Sequence, residues 1–586
     1  MSPPLKSPES QVHPYTSPCP EVDNDQITVV TSRPIPVPDP QNSCPRDATP
    51  EDLEKLRHVA DKIPRIVWLV AFTGAAQRFA FYGTTVPWQN YLQNPPGDPL
   101  SPGALGFGQS TATIINNAFL FLSYLSSIPF AIISDSWLGR YKSLLLSLII
   151  FLAGEIVLFV TSLPFALEDR STVIGGFITA MVLIGLGQGG TSAVIFSFLG
   201  DQIPSKAPRV IYSGKGEIVV TDPKLTIQHV FNTFYWMINI AALATLATTN
   251  IEKRIGFWAA YLLPLCFLSI SIILFILWND RLTKLPPQSD VLPHAGKVLA
   301  LAARSRFHLS AADPSYQSLH YSRTVPWTSA FVHEIRRGFR ACRAVICFTV
   351  FYLCFNQSTT NIISQANQME ISGVSNDTVQ SLNAIFYIII NPIIQNWLFP
   401  FLARRHIAFG PIARMTVSFF LLAVAMGYAA GTQALIYSRG PCFSYPRACE
   451  AATVVGVDGV TTEHRPNEVS MWVQAPFHLF LAVGEIFGFV ALNEFEYIEA
   501  PTNMKALVKA FEQFTAALGA GLSMALGPVS KDPWLVIMNA SLAGTMVISG
   551  VAFYAVFWKF DPYWHKNQNI TNSEDSRVIV IEDSKE

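Results

Sequence analysis

Twelve apolar runs, each long enough to cross a hydrocarbon core as a helix, restrict this chain more than any other feature. A crossing needs about 20 residues at about 1.5 Å of rise per residue. Such runs recur near 64–90, 112–134, 143–163, 172–199, 228–249, 256–278, 343–365, 380–402, 412–431, 469–493, 505–527 and 534–558. Composition points the same way: 50% of the 586 residues are hydrophobic and 14% are charged, against about 25% charged in soluble domains. Mean hydropathy is +0.32. The expected fold class is an all-α membrane protein with twelve transmembrane helices, arranged as two six-helix halves around a long polar stretch.

The runs divide the chain into five segments. Residues 1–56 are rich in Pro, Ser and Asp and poor in large apolar groups, so they cannot offset the entropy of ordering and are expected to form a disordered cytoplasmic tail. Residues 57–279 form the N-terminal half, 280–342 a cytoplasmic linker, 343–558 the C-terminal half and 559–586 a second cytoplasmic tail. The start of the chain has no basic stretch followed by an apolar core, so the first span is expected to direct insertion itself.

Cations set the sidedness. Arg140, Lys142, Arg404, Arg405 and the cluster Arg336, Arg337, Arg340 and Arg343 fall on the side of the termini, while the opposite loops at 91–110 and 366–378 contain no Lys or Arg. The positive-inside rule places both termini in the cytoplasm, and the expected location is the plasma membrane.

Among the cysteines, Cys266, Cys342, Cys347 and Cys354 lie in or beside spans and read as small buried apolar groups. Cys442 and Cys449 fall in the outer loop 432–468, where an oxidising compartment favours a disulfide that clips the loop. The sequon Asn376-Asp377-Thr378 faces the same side and is a candidate glycosylation site. The stretch "GLGQGG" at 185–190 imitates a phosphate-binding loop, but it sits inside a span with no strand before it. Small residues at this density let membrane helices approach closely. No metal cluster, cofactor motif or nucleophile elbow is visible, so enzyme chemistry is not expected.

Seven segments, in order, resemble the proton-dependent oligopeptide transporters, the peptide branch of the major facilitator superfamily, in its fungal form. They are "GAAQRFAFYG" (74–83), "ISDSWLGRYKS" (133–143), "GQGGTSAVIFSFLGDQ" (187–202), "FNTFYWMINIAAL" (231–243), "CFNQSTTNIISQA" (354–366), "QAPFHLFLAVGEIFGFVALNEFEYIEAP" (474–501) and "NMKALV" (503–508). The resemblance implies the major facilitator fold and alternating access around a midplane site. It also implies a substrate of di- or tripeptides or peptide-like metabolites, with protons as a candidate co-substrate.

The departures from the family pattern fall at its charges. Positions that carry two carboxylates in the family's first span are Gly74 and Gln77 here, and the fourth-span lysine aligns with Ser192. Arg78 is kept. With no acid at 74 or 77 it is available to hold a substrate carboxylate through two hydrogen bonds, and Tyr82 lies four residues on along the same face. The structural alternative pairs Arg78 permanently with Glu155 or Glu485. In the tenth span Gln474, His478 and Glu485 share a helical face. Glu485 matches the family acid associated with the substrate's amino group, and His478 with Glu485 is a candidate proton relay. Asn239, Gln357 and Asn361 are further candidates for lining the cavity, although membrane amides also join helices. Asp135, Gly139 and Arg140, at the cytoplasmic ends of the second and third spans, are a candidate conformational lock. Glu494 and Glu496 read as solvated. Two other functions remain open at this stage: a carrier or exporter of a specialised metabolite without proton coupling, and a membrane receptor that binds peptide without moving it.

Overall fold

The computed structural model describes residues 46–49, 52, 56–96, 102–204, 208–212, 218–221, 223–286, 291–305, 308–371, 373–405, 409–455, 462–499 and 505–558. The C-terminal tail 559–586 and residues 1–45 of the N-terminal tail lie outside them.

The N-terminal half is built from Arg65–Thr85, Gln109–Ile133, Arg140–Thr161, Arg170–Asp201, the consecutive helices Pro223–Ala242 and Ala244–Arg254, and Phe257–Leu277. The C-terminal half follows with a broken seventh span, in which Phe348–Phe355 and Asn361–Asn367 are joined by the tight turn Asn356–Thr359. Ser381–Ile393, Pro411–Ser438, Ala475–Glu499, Lys505–Ala525 and Leu535–Phe557 complete it. These are called the first to twelfth spans below. By length and composition nine helices among the described residues are apolar enough to cross a membrane, and the bent pair that includes the seventh makes ten. The first and eleventh fall short because they carry Gln77 with Arg78 and Lys509 with Glu512.

Local chemistry sets the ends. Pro64 precedes the first span and Pro411 opens the ninth, where a missing N–H costs nothing. The Asp169 carboxylate accepts from the backbone N–H of Ser171 at 3.1 Å and caps the fourth span. Gly139 turns the chain between the second and third spans with φ of 76°, a region open to glycine without strain.

The glycine-rich stretch is a packing seam, as its position in a span predicts. A Cβ at Gly189 would stand 2.5 Å from the Ser123 carbonyl oxygen, and one at Gly187 would stand 2.6 Å from Phe151. The fourth span therefore lies directly against the second and third. In the C-terminal half, Phe348, Phe351, Phe419 and Phe553 interlock with ring centroids 5.2–6.4 Å apart and belong to the core.

The polar linker is itself folded. Helices Val291–Arg304, Pro314–Tyr321 and Ser329–Val345 bury Ala295, Val298, Ala312, Trp327, Val332 and Ile335 together. The Trp327 indole donates to the Ala312 carbonyl at 2.9 Å. A separate small unit, 1–63 with 204–230, contains a four-stranded sheet in the order Arg46–Asp47, Arg209–Tyr212, Ile218–Thr221, Arg57–Val59. The tail expected to be disordered through residue 56 thus supplies a strand at 46–47, because Val210, Val219 and Val220 give it a buried surface to pair beside.

The disulfide is formed: Cys442 and Cys449 are bonded with Cα atoms 5.5 Å apart. Cys266, Cys342, Cys347 and Cys354 are free thiols.

Candidate functional site

The first span brings Arg78 to the interior between the halves. Its guanidinium donates to the Ser192 hydroxyl at 3.2 Å and lies over the Phe81 ring. Gln77 donates to Gln188 at 2.5 Å, and Gln188 donates to Ser192 at 3.2 Å. The result is a neutral chain, Gln77–Gln188–Ser192, ending on one cation. Arg78 makes no ion pair among the described residues, so the structural alternative of a permanent bridge does not hold in this conformation. Glu155 accepts from Thr84 at 3.0 Å, and Glu485 accepts from Asn383 at 2.6 Å.

The glycine at 74 has a steric cause. A Cβ there would meet Phe234 at 2.7 Å and Ile195 at 2.9 Å, and Phe234 is held against Phe196 with centroids 5.1 Å apart. No acidic side chain fits at this position.

Glu485 is carried by the tenth span, in the other half. Arg78, Tyr82, Tyr235, Asn239, Asn383 and Glu485, all within their helices, keep partial exposure. One cation and one carboxylate, one from each half, therefore keep partial exposure inside the bundle without a partner of opposite charge among the described residues.

Other sequence candidates are used elsewhere. Gln357, Asn361 and Gln474 are buried. Gln357 donates to Ser523 at 2.6 Å, Asn361 to Gln357 at 2.6 Å, and Gln474 to Gln365 at 2.8 Å. Their amides join helices in this conformation rather than lining the space. Asn239 donates to the Tyr235 carbonyl at 2.9 Å. His478 is fully buried and neither ring nitrogen has a hydrogen-bond partner. Seven residues separate it from Glu485, about 10 Å along a helix, and no bonded group links the two.

At the end of the bundle near the termini, Arg140 bonds Asp201 at 2.5 Å and reaches Asp135 at 3.8 Å. The second, third and fourth spans are tied together, so here the triad braces one half and does not cross to the other. Glu494 pairs with Arg414 at 2.6 Å. Glu496 is buried and stands 3.7 Å from Lys509, which also pairs with Glu512. Glu512 accepts from the Tyr352 hydroxyl at 2.9 Å. The reading of Glu496 as solvated is corrected by this cluster.

The opposite, distal end is clasped shut. Gln89 donates to Ser364 at 2.9 Å, Asn367 to Asn94 at 3.0 Å, and Ser110 to the Gly527 carbonyl at 2.6 Å. The amides of Asn90 and Asn376 exchange two hydrogen bonds at 2.8 and 2.9 Å. The expected glycosylation at Asn376 is overturned: its side chain is fully buried and both ends of the amide are used. The sequon identified the residue types but carried no information about burial.

Sequence reading missed Tyr235, Asn383, Asp201 and the Lys509–Glu512 pair. Tyr235 and Asp201 stand inside stretches quoted above.

A family model described as the POT family matches residues 141–541. The peptide transporter PTR_A of Candidozyma auris is 37% identical over 518 residues, 88% of this chain and 85% of that protein. The peptide transporter PTR2 of Saccharomyces cerevisiae is 32% identical over 539 residues, 92% of this chain and 86% of its own. The crystal structure of the POT family transporter PepTSo superposes with a TM-score of 0.65 at 19% identity, covering 86% of this chain and 99% of that one. With a matching model over most of the chain and relatives aligned nearly end to end, this protein belongs to the POT family, a branch of the major facilitator fold.

Proposed function

We infer that this protein is a secondary transporter of small peptides or peptide-like metabolites, working by alternating access. The fungal relatives above carry the name peptide transporter, and the fold is that of their family. The observation that carries the finer reading is the pair of unbridged, partly exposed opposite charges, Arg78 and Glu485, one in each half. A short peptide at neutral pH presents a carboxylate and an ammonium at its two ends. Arg78 matches the first with a planar fork of donors, and Glu485 matches the second. Tyr82 and Asn239 supply neutral hydrogen bonds between them.

Burying a lone cation in a membrane protein costs about 2.5–3.5 kcal/mol by insertion scales, and a packing role would have offset that cost with a bridge. A substrate carboxylate offsets it only when bound. The distal clasp makes this conformation closed on the side away from the termini. With the termini cytoplasmic, as the distribution of cations favours, that side is the exterior of the plasma membrane.

The test is dipeptide uptake by the purified protein in liposomes, with and without an inward proton gradient. Arg78→Ala should lower uptake about 10- to 100-fold, the worth of a charge-assisted hydrogen-bonded pair, while leaving expression and melting near wild type because no bridge is broken. Uptake unaffected by Arg78→Ala would remove the substrate role.

A further inference from the structure

We propose that the exposed face of the linker helix Ser329–Val345 is a binding site for anionic phospholipid headgroups in the leaflet on the side of the termini, with Arg336, Arg337 and Arg343 holding the phosphates. Such a site is independent of what the central cavity carries.

The helix begins under a cap, the Thr328 hydroxyl accepting from the Phe331 N–H at 3.3 Å, and its other side is fixed at both ends. Near the start, Val332 and Ile335 pack into the linker core beside Trp327. Near the finish, Cys342, Ala344 and Val345 join the core of the C-terminal half. The helix therefore cannot roll, and the arc it turns outward is set. That arc carries His333, Arg336, Arg337 and Arg343, all exposed, at spacings of three, four and seven residues that stack them along one side. Phe339 and Ile346, seven residues apart and 36% and 38% exposed, border the row.

The row lacks compensating charge. None of the three arginines forms an ion pair among the described residues. Glu334, the one acid in the helix, is half-buried, and the Asp313 carboxylate accepts from Ser315 and Ser329. From 291 to 345 the chain has eight Lys and Arg against these two acids.

Position selects the partner. The helix meets the seventh span at a bend of 42°, so it is held at the membrane boundary. Arg343 precedes Phe348, where the span's helix begins, by five positions, about 8 Å along a helix. The headgroup layer adds about 5–7 Å on each side of the hydrocarbon core, so Arg343 stands at its level. Arg336 and Arg337 lie about two turns farther out, facing a surface potential that decays over roughly 10 Å. Phe339 and Ile346 offer acyl chains an apolar edge beside the cations, the arrangement of helices that lie on a bilayer. Guanidinium binds phosphate oxygens through paired N–H donors, more firmly than an ammonium does. Inside loops are basic in general, but a row fixed on one face at headgroup depth goes beyond what that rule requires.

The experiment titrates the purified full-length protein, in micelles of a neutral detergent, with fluorescently labelled phosphatidylserine. Wild type should bind saturably. The triple variant Arg336→Ala, Arg337→Ala, Arg343→Ala should bind at least about tenfold more weakly, given roughly fivefold per basic group at an anionic surface. Lysine at the three positions should restore part of the loss, and labelled phosphatidylcholine should bind the wild type as weakly as the alanine variant binds phosphatidylserine. Melting of the alanine variant should match the wild type, since no ion pair is broken. If it falls, the single reversal Arg337→Glu, at an exposed position, takes its place with the same tenfold criterion. Equal affinity of wild type and variant for phosphatidylserine, or of the wild type for both lipids, overturns the proposal. So does polyglutamate that binds as tightly as the lipid, because the partner would then be a soluble polyanion.

Discussion

The two halves carry the same scaffold devices and opposite central charges. Each has a π-helical turn after its second helix, Ser134–Leu138 in one and Ile394–Leu398 in the other, each with a highly exposed tryptophan, Trp137 and Trp397. Each ties the start of its third helix to the end of its fourth by an arginine bridge, Arg140–Asp201 and Arg414–Glu494. At the centre the correspondence ends. The N-terminal half places a cation at the end of a neutral amide chain, and the C-terminal half places a carboxylate beside Asn383. Duplicated scaffolds keep what packing needs at helix ends, while the middle of each bundle is free to diverge toward the ligand.

The strongest challenge to that contrast is to reintroduce the missing acid. Gly74→Glu forces a charge into the Phe234 and Ile195 side chains, and overlap with an unpaired buried charge should cost more than about 4 kcal/mol. The measurement is melting in detergent, with Gly74→Ala falling less. Normal stability of Gly74→Glu would mean that steric exclusion does not explain the glycine.

Next in size is the division of labour between the central charges. Arg78→Ala should selectively harm substrates with a free C-terminal carboxylate, and Glu485→Gln those with a free amino end. The expected losses are about tenfold or more in competition assays with amidated and acetylated dipeptides. If both variants lose the same substrates equally, the two charges do not bracket the ligand.

A smaller effect separates the two bridges. Arg140 serves Asp135 and Asp201, with Asp201 only 9% exposed, whereas Arg414 faces Glu494, which is 37% exposed. Arg140→Ala should therefore destabilise by about 2 kcal/mol and Arg414→Ala by about 1 kcal/mol or less, read as melting temperatures in the same detergent. The reverse order would show that the second bridge is the structural one.

The smallest change is expected outside the bundle. Asp313 caps a linker helix and accepts from Ser315 and Ser329. Those hydrogen bonds, first that from Ser329, hold its carboxyl below the usual range. A depressed carboxyl pKa gives stability that is present above the unfolded value of about 3.9 and is lost as pH falls through the folded value. Asp313→Ala should speed proteolysis within 291–345 through loss of a cap worth about 1 kcal/mol, with peptide uptake unchanged.

The helices were legible because crossing a membrane imposes length and apolarity locally. The helices lie close to the positions expected for the spans, and the tight turn within the seventh coincides with the polar run Asn356-Gln357-Ser358-Thr359-Thr360. The linker's small core was not legible, since its six buried apolar residues are scattered over 41 positions. The cavity was half legible. Arg78 and Glu485 stand out as isolated charges in apolar runs, but Asn361, Gln474 and Asn376 look like any pathway amide until their partners are seen.

The sequence by itself determined that this chain spans a membrane in two six-helix groups, to which family it is similar, and which charges sit far from water. Those are properties of each segment alone. Tertiary structure decided which polar groups are spent on one another: that Gln77 bonds Gln188, that Asn376 bonds Asn90, and that Gln474 bonds Gln365. Hydrogen bonds saturate, and an amide or carboxyl has only a few. Whether one is free for a ligand depends on neighbours brought from as much as 286 residues away.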